Sequence, residues 1–137
     1  MASHIAPVNP AALERPLGYA HGIEVRGGRL LFIAGQVARD GNGVMQGKGD
    51  LVAQFRQVCE NIRHVVTAAG GGMNDIVKLN IYVLDAEEYK RRLEPIGAVY
   101  REYFGKHFPA MTLAGVKELY VSSEGGLIEI EGVAALP

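Results

Sequence analysis

Across Gly70-Gly71-Gly72 the hydrophobic period of this chain changes from about 3.6 residues to about 2, and few folds accommodate both segments side by side. Upstream, Leu51, Phe55, Val58, Ile62, Val65 and Ala69 recur at spacings of three and four, painting one stripe of a helix. Asp50 stands where an N-cap is needed, and the glycines can take the left-handed conformation that ends a helix. Downstream, "DIVKLNIYVL" alternates: Val77, Leu79, Ile81 and Val83 face one way, Lys78, Asn80 and Tyr82 the other. An amphipathic helix followed at once by a half-apolar strand points to helices layered on a sheet.

The remaining segments extend that pattern. Residues 1–17 hold Pro7, Pro10 and Pro16 and read as an extended arm, leaving 18–137 as a single domain. Strands are expected near Ile23–Arg26 and Leu30–Ala34, with Gly27-Gly28 forming a hairpin turn between them. Asp40-Gly41-Asn42-Gly43 is a second turn, followed by a short edge strand. Asp85 and Glu88 form a capping box for a second helix, whose buried stripe is Ile96, Val99, Tyr100, Tyr103 and Phe104. Pro95 kinks that helix or splits it into two pieces, and Gly105 closes it. Strands near Ala110–Lys117 and Leu127–Ala134 complete the order ββ(β)αβαββ, an α+β fold with two helices on one face of a mixed sheet. "LLFIA" and "AMTLAGV" are apolar on both faces, so the face without helices calls for cover by further copies of the chain.

Composition narrows the function classes. A net charge of −1 gives no general attraction to nucleic acid or anionic lipid, and no apolar run is long enough to span a bilayer. "MASHIAPVNP" lacks the basic start and apolar stretch of a signal peptide, and Cys59 has no partner for an internal disulfide, which favours a cytoplasmic setting. His4, His21, His64 and His107 are scattered without metal-ligand spacing, and nothing in the chain calls for a cofactor. Gly70–Gly72 follows a helix rather than preceding one, so it is a cap and not a phosphate cradle. Ser3, Ser122 and Ser123 lack a nucleophile-elbow context. Cys59, beside Val58 on the apolar flank of its helix, reads as a buried thiol. Lys90, Arg91 and Arg92 form a solvated charged patch without interleaved aromatics.

Two features carry more chemistry. In "LIEIEGVA", Glu129 and Glu131 project from one face of a strand and Ile128 and Ile130 from the other. The pair reads as a solvated outer face or as a carboxylate in a subunit cleft, placed to hold a water as general base. Tyr19 precedes the first strand, where its ring could close a cleft and donate a hydrogen bond, or simply pack against a neighbour.

"GY" near the start, "FIAGQV", "QFRQVCENIRHVVTAAGGG", "NDIVKLNIYVLD", "YREYF", "FPA" and "IEIEGVA", in this order and spacing, resemble the RidA (YjgF) family of enamine/imine deaminases over nearly the whole chain. The resemblance implies a chorismate-mutase-like subunit, a homotrimer whose sheets form a central barrel, and clefts between subunits. It implies hydrolysis of reactive imines, with Tyr19 and Glu129 as catalytic residues, Glu129 orienting water, and backbone at Gly35 binding substrate. The family's carboxylate-gripping arginine falls at Met111, a small thiol residue at Leu113, a serine at Ala34 and an asparagine at Gly97. An arginine–carboxylate fork contributes roughly 2–5 kcal/mol that a thioether cannot supply. The pocket is therefore expected to suit a less acidic or larger apolar ligand, unless Lys117, His21 or His107 takes over the anion.

The first functional reading is a RidA-like hydrolase acting on an enamine or imine other than the usual 2-imino acid. The second is a non-catalytic trimer that binds or senses a small molecule. RNA cleavage or binding ranks last, given the near-neutral charge. Both leading readings require protomers to meet so that Glu129 and Met111 share one enclosed hollow.

Overall fold

Asp50 caps the helix that organises the molecule. In the computed structural model, which describes residues 4–137, its carboxylate accepts the Ala53 N–H at 3.1 Å and opens α1, Leu51–Ala68. Gly70, at φ +89°, ends it by donating to the Thr67 carbonyl. Before α1 come β1 (Ile5–Val8), β2 (Gly22–Val25) and β3 (Arg29–Gln36). After it come β4 (Ile76–Val83), α2 (Ala86–Arg91), α3 (Leu93–Phe104), β5 (Ala110–Gly115) and β6 (Ile128–Leu136).

Four strands form one mixed sheet in the order β3-β6-β4-β5. The β3/β6 and β6/β4 pairs are antiparallel, while β4 and β5 are parallel and joined by a crossover through α2 and α3. All three helices lie on one face. Phe55, Val58, Ile62 and Val66 of α1 and Ile96, Val99 and Phe104 of α3 pack with Ile33, Leu79, Ile81, Ile128 and Ile130 of the sheet into one buried core. The other face carries Lys78, Asn80, Tyr82, Glu129 and Glu131 in the centre, Thr112 at the β5 edge, and Leu30 and Phe32 at the β3 edge, 57% and 73% exposed. The α+β class and the single helical layer match the expectation from sequence.

Local details depart from that expectation. The hairpin at Gly27-Gly28 does not form: β2 pairs antiparallel with β1, inside the segment expected as an arm, and β3 pairs only with β6. Both glycines have positive φ, but the turn carries the chain from one sheet to the other. Gly28 sits so close to the end of β6 that a Cβ would lie 2.2 Å from the Leu136 carbonyl. The expected edge strand after Gly43 is a single bridge between Arg39 and Met45, because the Asp40 carboxylate holds the loop by accepting the Asn42 and Val44 N–H groups. The second helix is split into two pieces, one of the two outcomes expected of Pro95, giving three α-helices among the described residues. The chain breaks at Arg92, three residues before Pro95, and only the Asp85 half of the expected capping box forms, accepting the Glu88 N–H at 3.0 Å. Ser3 lies outside the described residues.

Two polar features stitch the layers together. Gln54, fully buried, donates to the Gly47 and Gly125 carbonyls and accepts the Leu127 N–H at 2.8 Å, tying α1 to two loops. Replacing it with Leu leaves the Gly125 carbonyl and the Leu127 N–H without that partner, while the Gly47 carbonyl keeps the Asp50 N–H, so stability should fall by about 2–4 kcal/mol. The thermal midpoint should then drop by roughly 8–15 °C in calorimetry. Glu60 joins α1 to α3, accepting from Arg63 and, at 2.9 Å, from the Tyr103 hydroxyl; the Arg63 guanidinium and then Tyr103 hold its carboxyl at about 2. A carboxyl depressed in the folded state contributes stability that is complete above its unfolded pKa and lost as pH falls through the folded one. The urea midpoint should therefore decline on acidification between about pH 5 and pH 2, and Glu60→Gln should make that decline shallower.

Candidate functional site

The pairing of β5 with β4 decides where its side chains point. Met111 lies opposite Leu79 and Leu113 opposite Ile81, so both face the helices with those core residues. β5 is an edge strand, and α3 does not close over it completely. Between them is a cavity of about 590 Å³. Leu79, Ile81 and Ile130 form its floor, Phe55 and Ile62 of α1 its back, and Ile96, Gly97, Tyr100 and Phe104 of α3 its wall. Tyr19, Leu93, Phe108, Arg101 and Lys106 also line it.

The wall is built from stacked rings. Tyr100 stacks on Phe104 at 4.5 Å and on Phe108 at 5.5 Å, both nearly parallel. The Tyr100 hydroxyl donates to the His107 carbonyl at 2.7 Å, and burial pushes its phenol pKa up. Burial likewise pushes the Tyr89 phenol and the Cys59 thiol, which also line the cavity, up to about 12, so neither ionises near neutral pH. Tyr19 is placed by the residue after it: Ala20 donates to the Pro109 carbonyl at 3.0 Å and bridges Ala110 at the start of β5. The Tyr19 ring meets His21 edge-on at 5.3 Å.

On the opposite face of the sheet, β6 presents its two glutamates. They behave differently although they are two residues apart. Glu131 accepts from the Tyr82 hydroxyl at 2.8 Å and the Asn80 amide at 3.2 Å, and that bond raises the Tyr82 phenol. Glu129 has no such partner among the described residues; its carboxylate lies against Gly35. A β-bulge in β3 between Ile33 and Gln36 brings Ala34 and Gly35 there, and a Cβ on Gly35 would come 2.0 Å from Glu129 Oε2.

The structure thus gathers Tyr19, Gly97, Met111 and Leu113 in one cavity and Gly35 and Glu129 in another place, with Ala34 on the same bulge. The sheet stands between the two groups, so no single chain encloses Glu129 and Met111 together. His21 and His107 each hold a backbone carbonyl through Nε2, that of Glu14 at 2.7 Å and that of Ile76 at 2.6 Å. Neither they nor Lys117 line the cavity. Arg101 and Lys106 do, and sequence reasoning missed them. The available signal was spacing: Arg101 follows Gly97 by four residues, one helical turn on the same face. Among the described residues no group of three His, Cys, Asp or Glu could hold a metal ion, and no helix is long and apolar enough to cross a membrane.

Residues 10–136 match the family model described as Endoribonuclease L-PSP. A RutC family protein of Pyrococcus horikoshii is 38% identical over 120 residues, 88% of this chain and 89% of that protein. A 2-iminobutanoate/2-iminopropanoate deaminase of Dermatophagoides farinae is 28% identical over 123 residues, 89% of each chain. Among solved structures, a protein of the conserved Rid family from Yersinia pestis, of unknown function, superposes with a TM-score of 0.86 at 35% identity, covering 98% of this chain and 100% of its own.

The contact between Gly35 and Glu129 is directly testable. In Gly35→Ala the new methyl group meets the mobile end of a side chain rather than backbone, and Gly35 does not have positive φ. A crystal structure of the variant should show the Glu129 carboxylate rotated away, with the thermal midpoint changed by less than about 3 °C.

Proposed function

This chain belongs to the RidA (YjgF) family, and on that premise we propose that it is a homotrimeric hydrolase of imines or enamines, acting on a substrate other than the small 2-imino acids. The observation that carries this reading is the division of the site. One face supplies a cavity with Tyr19, Met111 and Leu113, and the other supplies Glu129 beside Gly35. Each half is open, and the exposed Leu30 and Phe32 on the Glu129 face are the kind of apolar surface that another copy would cover. In the proposed trimer the cavity of one subunit meets the Glu129 face of the next, which joins the halves into three sites.

Hydrolysis in such a site runs in two steps. Glu129 accepts a proton from water as its oxygen attacks the carbon of the C=N bond, whose nitrogen takes up a proton, giving a carbinolamine. Collapse of that species breaks the C–N bond, forms the carbonyl and releases ammonia. Glu129 suits the task better than Glu131, because Tyr82 and Asn80 already occupy Glu131. The Tyr19 hydroxyl donates toward the departing nitrogen, and the Gly35 backbone binds the polar end of the substrate. A thioether at Met111 and a leucine at Leu113 make the β5 side of the site apolar, which favours a larger apolar substrate over 2-iminopropanoate.

The second reading, a trimer that binds a small molecule without turning it over, draws on the same Met111. It predicts heat stabilisation by ligand with no product. The endoribonuclease description belongs to the family model, and a net charge of −1 does not favour RNA as substrate here.

Imines generated in place by an amino-acid oxidase, with release of keto acid followed by trapping, test catalysis directly. Glu129→Ala and Tyr19→Ala should each lower the rate by about a hundredfold or more. Sedimentation should give a trimer. When the two inactive variants are unfolded and refolded together in equal amounts, about one quarter of inter-subunit sites should receive both native residues, restoring activity in proportion. No recovery in well-formed mixed trimers would rule out a site shared between chains.

A further inference from the structure

We propose that Arg101 is the anion-binding residue of the cavity between β5 and α3, and that the cavity takes small carboxylates bearing a bulky apolar or aromatic body. This rests on the hydrolase reading only for the group that reacts; the binding mode stands on the cavity itself.

The charge distribution around the cavity is lopsided. Its lining contains no aspartate or glutamate and two cations, Arg101 and Lys106. Neither cation makes an ion pair among the described residues, whereas Arg56 and Arg63 on the neighbouring helix are bound to Glu102 and Glu60. Glu102, next to Arg101 in sequence, is therefore already engaged. A guanidinium beside apolar walls, with its five N–H donors unspent on carboxylate, is complementary to a planar anion.

Gly97 gives Arg101 its position. Helical side chains lean toward the N-terminus, over the preceding turn. One turn before Arg101 is Gly97, and a Cβ there would lie 3.3 Å from Arg101 Nη1, closer than ordinary van der Waals contact. With no side chain at 97, the guanidinium lies over Gly97 at the cavity wall.

The apolar part sets the rest of the ligand. Tyr100, Phe104 and Phe108 offer a stack of rings, and Leu113 opposite is 37% exposed. A volume of about 590 Å³ lies within the range of roughly 300–1,000 Å³ used by drug-sized ligands, and a three-carbon acid would leave most of it unfilled.

Unreactive acids separate binding from catalysis. The protein would be titrated calorimetrically with 3-phenylpropanoate, 3-phenylpropanamide and propanoate. The aromatic acid should bind roughly tenfold or more tightly than either its amide or propanoate. Arg101→Gln should bring the acid down to the level of the amide, Arg101→Lys should keep part of the preference, and Arg101→Gln combined with Met111→Arg should recover it from the other side of the cavity. Arg101 is exposed in the single chain and makes no ion pair among the described residues, so its variants should keep the wild-type thermal midpoint, and sedimentation of each variant separates lost binding from lost assembly. Equal binding of acid and amide, an undiminished preference in Arg101→Gln, or no binding of the aromatic acid would each overturn the proposal. Binding as described without turnover of any imine would leave it standing and remove the hydrolase reading instead.

Discussion

The antiparallel pairing of β6 with β4 governs everything else in this molecule. Ile130 lies opposite Ile81 and Glu129 opposite Tyr82. Because successive residues of a strand point to opposite faces, that one register sends the isoleucines under the helices and the glutamates to the open face. A slip of one residue would bury two carboxylates in an apolar core, which is prohibitive without partners, so the burial of Ile128 and Ile130 locks the register. β5 then inherits its orientation from β4, and Met111 and Leu113 end on the helix side.

The same constraint divides the chemistry. Among the described residues, the helix side offers apolar volume, stacked rings and two cations without an ion-pair partner, and the open side offers a carboxylate without a hydrogen-bond partner, beside a bulge. The proposed hydrolysis uses the first to bind substrate and the second to activate water. A sheet one residue thick keeps them apart within a chain, so the proposed trimer would have a chemical reason to form beyond covering Phe32. Gly35 matters for a related reason. The bulge brings backbone up to Glu129, and only a residue without a side chain leaves room for the carboxylate in its present place.

Much of this could be read before any fold was known. Asp50, the stripe from Leu51 to Ala69 and the alternation of β4 from Lys78 to Val83 use local rules and appear as read; the helical break comes at Arg92 rather than at Pro95, and a bulge at Val77 puts Ile76 in the core in its place. The shared face of Glu129 and Glu131 followed from period alone. The failures are of another kind. Gly27-Gly28 does make a turn, but whether its flanking strands pair depends on competition from β1 and β6, which lie far away in sequence. Of the cations offered for the anion, Lys117, His21 and His107, none lines the cavity, and the two histidines are held by the carbonyls of Glu14 and Ile76.

What the sequence determined by itself is therefore the helices, the four strands of the main sheet and the polarity of each of their faces, because capping, glycine turns and hydrophobic period act over a few residues. Tertiary structure alone decided that Met111 and Glu129 are back to back, that Glu131 is occupied while Glu129 is not, and that Arg101 lines the cavity. These depend on which strands become neighbours and in what register. That outcome is set by the burial of the whole core at once, and no local stretch of residues encodes it.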